Sequence, residues 1–150
     1  MKKVLLSIAA SAIVLCATGA GLYVWNEAPV VPALSSADAG SNSRPYVIKL
    51  HAQWCPKCLM TKGAWSDLQA RYAGRVNFLV FDYTNQRTTD ASEVDARRIG
   101  LGEFFENAGG TGSVIVLDGR TKEVVSRISG VQDVEAYAAA VDAALARAGA

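Results

Sequence analysis

From Pro45 onward the chain is predicted to fold as an α/β domain in the order β-α-β-α-β-β-α, a central mixed sheet of about four strands flanked by helices. Three observations predict it. Tyr46 to His51 and Val76 to Phe81 are short apolar runs rich in β-formers, as strands buried on two faces are. A helix-sized segment separates them. Near the end, Ser113 to Leu117 and Glu123 to Ile128 flank Asp118-Gly119-Arg120-Thr121-Lys122, the composition of a β-hairpin loop.

Taken in order, the first strand is Tyr46 to His51. The first helix is expected to start at Pro56, which a first helical turn tolerates, and to carry Met60, Ala64, Leu68 and Tyr72 as its apolar stripe. Asp67 and Arg71, four apart, are expected to pair. After the second strand, Asp90 to Leu101 reads as a helix with Glu93 and Arg97 paired, ended by Gly102 before a Phe104-Phe105 turn. The loop Gly109-Gly110-Thr111-Gly112 leads into the hairpin. Gly130 stops its second strand, and Gln132 or Asp133 opens a last helix with Val134, Tyr137, Val141 and Leu145 along one face.

Ahead of this domain, placed at 45–150, stand two segments of different character. Met1, Lys2 and Lys3 give a positive start, and Val4 to Trp25 carries no charge, so residues 1–25 read as an export signal. Two fates remain open. Ala17, Gly19 and Ala20 offer small residues for cleavage, yet the apolar run continues through Tyr23 and Trp25, long enough to stay as a membrane anchor. Residues 26–44, rich in Pro, Ala, Ser, Asn and Gly, read as a flexible linker. The expected location is therefore extracytoplasmic, in the periplasm or cell envelope, with the anchor held in the inner membrane.

Fifteen basic residues against fourteen acidic ones leave a net charge of +1 without a basic run, which argues against nucleic acid as a partner. The three cysteines divide into Cys16, a small hydrophobe within the apolar N-terminus, and the close pair Cys55 and Cys58. A disulfide between the latter two closes almost no loop, so it adds little stability by restricting the unfolded chain. Reactivity is the better reason for the pair. Structural zinc needs about four ligands, and His51 is the only histidine, so no such site is expected and no cofactor is implied.

The element order, with Trp54-Cys55-Pro56-Lys57-Cys58 between the first strand and first helix, resembles the thioredoxin superfamily. The resemblance implies a thioredoxin-like fold and a protein-disulfide oxidoreductase, similar to its membrane-tethered extracytoplasmic members. A cysteine at a helix start meets unpaired N–H groups, so Cys55 is the expected nucleophile, with Cys58 one turn later as the resolving thiol. Trp54, Pro56 and Lys57 would support them, Lys57 by its charge. Trp54 resembles the family's aromatic beside the disulfide, or else covers a core edge. His51 reads as a packing residue, a proton carrier or a third copper ligand.

Three departures from the family pattern stand out. Lys49 occupies the position of the buried carboxylate that takes the resolving thiol's proton. Gly63 replaces a helix-kinking proline and is expected to weaken the helix there. Thr111-Gly112 matches the substrate loop with glycine in place of the cis-proline, leaving space beside the sulfurs that a restored proline would fill. The expected partners are exported cysteine-containing proteins and, for a reductant, a membrane electron donor; the tethered layout favours the reductant. The alternative function is an extracytoplasmic Cu(I)-binding or metallochaperone module using the same cysteines.

Overall fold

Alternating side chains of β1, Tyr46–His51, feed two separate cores. In this computed structural model, which describes residues 43–130 and 132–149, β1 pairs parallel with β2, Asn77–Asp82, in the register Tyr46 opposite Asn77 to His51 opposite Asp82. On its other side β1 runs antiparallel to β3, Ser113–Leu117, which pairs antiparallel with β4, Val124–Ser129. The sheet order is β2-β1-β3-β4. Between β1 and β2 lie α1, Pro56–Met60, and α2, Lys62–Arg71; between β2 and β3 lie α3, Gln86–Arg98, and α4, Gly102–Glu106. The chain closes with α5, Val134–Ala148.

One sheet face places Val47, Phe78, Val114 and Val116 against Trp65, Leu68 and Tyr72 and against Tyr137 and Val141 of α5. The opposite face places Ile48, Leu50, Phe81 and Ile115 against Ala96, Leu101 and Phe105. The period-two alternation of a strand buried on both sides produces this division. On the α5 side, the Tyr72 hydroxyl donates to the Ala138 carbonyl at 3.3 Å, so α2 and α5 are tied through a satisfied polar group as well as by apolar area.

The structure bears out the α/β class and four-strand mixed sheet, and corrects several details. The first helix breaks at Thr61, not at Gly63: Thr61 turns its hydroxyl back to the Lys57 and Cys58 carbonyls at 3.0 and 3.2 Å, a local competitor of the helical ladder. Met60 lies outside the apolar stripe and is exposed, while Trp65 takes the buried place. Arg71 pairs with Glu135 of α5 at 2.8 Å instead of with Asp67. Both partners are solvated, so this link aligns the two helices more than it stabilises them.

Both β2 and β4 start one residue later than expected. The α3 helix starts four residues earlier than Asp90, because Asn85 and Thr88 form a reciprocal capping box: the Asn85 side chain accepts from the Thr88 N–H, and the Thr88 hydroxyl accepts from the Asn85 N–H, each at 3.2 Å. Gly100, with φ of +76°, ends that helix, and Gly102 opens α4 instead of ending α3. The Glu93–Arg97 pair forms, at 2.7 Å, and Asp133 caps α5 through the Ala136 N–H. Asn85→Ala is expected to cost about 1 kcal/mol, read as a lower urea midpoint with an unchanged slope.

No helix among the described residues is long and apolar enough to cross a membrane. The expectations for Cys16, Tyr23, Trp25 and the whole of residues 1–25, like most of 26–44, fall outside the described residues. At the start of the described residues, Arg44 donates to the Gly74 carbonyl at 3.1 Å, and its own carbonyl accepts from Asn77.

Candidate active site

Where β1 ends, Ala52 to Trp54 turn the chain and Cys55 caps α1 in an extended backbone conformation, with Pro56 as the first helical residue. The cap is made by sulfur. Cys55 Sγ accepts from the Cys58 N–H at 3.3 Å, using one of the amides that a helix start leaves without an intrahelical partner. Cys58, one turn on, is 1% exposed, and its thiol faces the Leu50 carbonyl at 3.6 Å. With Ala52 the two cysteines form a small buried cluster of their own, apart from both main cores.

Their environments push them in opposite directions. Burial by itself would raise the Cys55 thiol, but hydrogen bonds from the Cys58 and Thr111 side chains and from the Cys58 and Lys57 backbone outweigh it and hold the group below its ordinary value. For Cys58, burial raises the thiol and the neighbouring Cys55 adds to the rise, against smaller lowering effects of the Ala52 backbone and the Lys49 charge. A proton thus leaves Cys55 first.

The sequence-derived neighbours separate on this geometry. Lys57 acts on Cys55 through its backbone N–H, a correction to the expectation that its charge would do so. Trp54 is 64% exposed and covers no core edge; its indole N–H donates to the Thr84 carbonyl at 3.1 Å. His51 points its Nδ1 into a buried place without a hydrogen-bond partner, and burial first, then the Lys49 charge, lowers its protonation. No group of three His, Cys, Asp or Glu residues among the described residues is arranged to hold a metal.

Thr111 and Gly112 do face the cysteines. A Cβ at Gly112 would stand 3.5 Å from Cys55 Sγ and 3.0 Å from Lys57 Cβ. The space that glycine was expected to leave open is therefore already bordered by the α1 side chains. Gly112 has φ of +84°, gives its N–H to Leu50 at 2.9 Å, and accepts at its carbonyl from Gly130 at 3.1 Å, so both of its backbone groups are used within the fold.

Sequence reasoning missed the support behind the cysteine turn. The Thr84 hydroxyl accepts from the Gln53 N–H at 3.0 Å, and the Asp82 carboxylate receives both the hydroxyl and the N–H of Thr84. Asp82 ends β2 beside His51 in register, so the network pins the turn before Cys55 to the neighbouring strand. The signal was available in Asp82-Tyr83-Thr84, an acid two residues before a threonine at a strand end, where short polar side chains bond nearby backbone.

The family model for thioredoxin matches residues 36–114, just over half of the chain and across the whole cysteine site. This chain belongs to the thioredoxin family. A curated relative, a thiol:disulfide interchange protein TxlA homolog from Synechocystis, is 31% identical over 61 residues, which cover 41% of this chain and 34% of the relative. The matched segment thus spans about a third of that relative's length. Among solved structures, MTB dsbF in its mixed oxidized and reduced forms is similar at a TM-score of 0.50 and 16% identity, over 68% of this chain and 81% of the other. Chloroplastic thioredoxin z is similar at 0.49 and 15%, over 71% and 82%. At 16% identity the likeness to dsbF is one of fold. The family is that of thioredoxin-like thiol-disulfide oxidoreductases, and the pair at the start of α1 is the thioredoxin-like protein's candidate redox centre.

Proposed function

We propose that this thioredoxin-like protein exchanges a Cys55–Cys58 dithiol or disulfide with cysteines of exported proteins, Cys55 attacking and Cys58 resolving. The observation that carries the reading is the opposed pair of environments: a capped, hydrogen-bonded Cys55 favoured as thiolate beside an enclosed Cys58 favoured as thiol. In the reducing direction Cys55 thiolate attacks a substrate disulfide, one substrate sulfur leaves as thiolate, and a Cys55–substrate mixed disulfide forms. Cys58 then attacks Cys55 Sγ, closing the Cys55–Cys58 bond and releasing the second substrate sulfur. The reverse sequence runs as an oxidation.

The linker's attachment supports a tethered arrangement. Ser43 to Pro45 enter β1 at Tyr46, and the six-residue strand carries the chain roughly 17 Å toward the cysteine turn at its other end. An anchor pulling at this entry leaves the cysteines on the far pole, free to meet other exported proteins. Reduction is the direction we favour, with electrons from a membrane dithiol donor. The exposed Trp54, Leu59 and Met60 flank the cysteines in sequence and offer apolar contact to an extended peptide. Because Gly112 spends its backbone groups internally, selection among peptides is expected to be weak and broad.

Alkylation of the reduced protein by iodoacetamide, followed by peptide mapping across pH, tests the assignment. Cys55 is expected to label first, with its half-maximal rate below the ordinary thiol value of about 8.5, and Cys58 to label slowly and only at higher pH. Faster labelling of Cys58 would reverse the two roles.

A further inference from the structure

Lys49 is the one charged side chain among the buried polar residues of the described chain, 6% exposed in the middle of β1. Its neighbours across the sheet are Val80 and Val114, and its ammonium lies 5.6 Å from the centre of the Trp65 ring. The Nζ reaches toward the helix break and donates to the Cys58 carbonyl at 3.5 Å. Among the described residues, no carboxylate figures among the groups that act on it. The charged or titratable groups acting on it are Cys58 and Cys55 of the α1 turn and Lys62 at the start of α2, while on its own strand it acts on His51, which has Asp82 on its other side.

A cation without a counter-charge in such a place is costly, and a lysine so placed gives up its proton more readily than one in water. Burial lowers its protonation first; the two cysteines oppose this and Lys62 adds to it. Among the described residues, the groups acting on Lys49 that can become negative are the thiols of Cys58 and Cys55. The site is therefore least tolerant of an ammonium when both sulfurs are neutral and most tolerant when Cys58 ionises. Cys58 for its part is enclosed, with its thiol on the Leu50 carbonyl, which accepts a hydrogen bond and takes no proton.

We propose that Lys49 is the proton acceptor of Cys58 during resolution, a role that rests on the redox reading above. In the mixed disulfide, neutral Lys49 takes the proton of the Cys58 thiol and becomes an ammonium beside the new thiolate. Cys58 Sγ then attacks Cys55 Sγ; the Cys55–Cys58 bond forms, the bond from Cys55 to the substrate sulfur breaks, and that sulfur leaves with the electron pair. Both cysteine sulfurs are then neutral in a disulfide, and the uncompensated Lys49 ammonium releases its proton to solvent. In the oxidising direction a substrate thiolate attacks Cys55 Sγ, the Cys55–Cys58 bond breaks with Cys58 leaving as thiolate, and Lys49 takes up a proton from solvent beside that new charge and passes it to Cys58.

The test uses the reduced protein and an aromatic disulfide whose thiolate absorbs visible light, such as 5,5′-dithiobis(2-nitrobenzoate). Attack by Cys55 releases a first equivalent of chromophore, and resolution by Cys58 releases a second. Lys49→Met keeps length and apolar packing against Trp65 but has no base; Lys49→Arg keeps a positive charge that proteins do not deprotonate. Both variants are expected to leave the first phase within about threefold of wild type and to slow the second about 100-fold at neutral pH, the usual scale of a lost general base. In wild type the second phase levels off once Lys49 is neutral, whereas in both variants it climbs about tenfold per pH unit with the Cys58 thiolate alone. A second phase unchanged in Lys49→Met overturns the proposal. Recovery in Lys49→Arg but not in Lys49→Met also overturns it, in favour of a fixed charge. A wild-type protein without any first phase refutes the redox reading itself, and the role of Lys49 with it.

Discussion

Cys55→Ser is expected to reduce disulfide exchange to the uncatalysed background, and Cys58→Ser to stop the reaction halfway, with a stable mixed disulfide on Cys55. The first loss is complete because a serine hydroxyl at the same cap accepts the Cys58 N–H as sulfur does but does not ionise at physiological pH. The second follows from position. Cys58 at 1% exposure has no route to a bulky substrate, so its part is confined to attack on Cys55 one helical turn away. Mass spectrometry of each variant after incubation with an oxidised peptide checks both outcomes: no adduct on Cys55→Ser, and one peptide per chain on Cys58→Ser. An adduct on Cys55→Ser at the wild-type rate would move the nucleophile to Cys58.

The same variants separate stability from chemistry. Cys55 gives its side chain to one N–H, and serine is a better cap than sulfur, so Cys55→Ser is expected to fold normally. The Cys58 side chain sits in a buried cluster with Ala52 and Cys55, where a hydroxyl still has the Leu50 carbonyl as acceptor. Loss of exchange in either variant therefore reports on sulfur rather than on unfolding.

What the sequence made legible follows from which features are local. Tyr46 to His51 and Ser113 to Leu117 were readable to the residue, because strands buried on both faces leave unbroken β-rich runs between turn residues. Cys55 was placed at its cap by Pro56, whose fixed φ suits a first turn. By contrast, Gln86 to Thr89 carry no apolar period, and the capping box that makes them helical joins two polar side chains whose pairing shows only in three dimensions. The helix breaks at Thr61 and not at Gly63 for a similar reason: a Cβ at Gly63 would meet nothing within 4 Å, whereas the Thr61 hydroxyl bonds the Cys58 carbonyl that Lys49 also approaches from the sheet.

Lys49 marks the boundary of what a pattern conveys. As one lysine in an apolar strand it read as a missing acid, and only the placement of its amine at the Cys58 carbonyl gives it a part in the chemistry. Asp82 and Thr84 are a like case: their bonds to each other and to Gln53 join a strand end to a turn 31 positions away in the chain. Local sequence names such groups without bringing them together.

Gly112→Pro is expected to destabilise the fold by about 3 kcal/mol or more, although the resemblance to proteins with a proline there suggests a harmless or helpful change. Three observations set the sign. Gly112 has φ of +84°, in the left-handed region, while a proline ring holds φ near −65°, so the loop must rebuild its path. The Gly112 N–H that proline lacks is bonded to the Leu50 carbonyl at 2.9 Å and fastens the loop to the end of β1 beside the Cys58 thiol. Any side chain starts 3.0 Å from Lys57 Cβ and 3.5 Å from Cys55 Sγ. Gly112→Ala isolates the first and last of these, keeps the N–H, and is expected to cost about 1–2 kcal/mol, the penalty of a left-handed L-residue. Urea unfolding of the three proteins orders them as glycine, alanine, proline. Both variants are also expected to raise the pH at which Cys55 alkylates, because the Thr111 side chain that helps hold its thiolate rides on the displaced loop. A proline variant with the wild-type urea midpoint would mean that the loop reaches Cys55 by a different backbone path, with a negative φ at position 112 and no bond to Leu50.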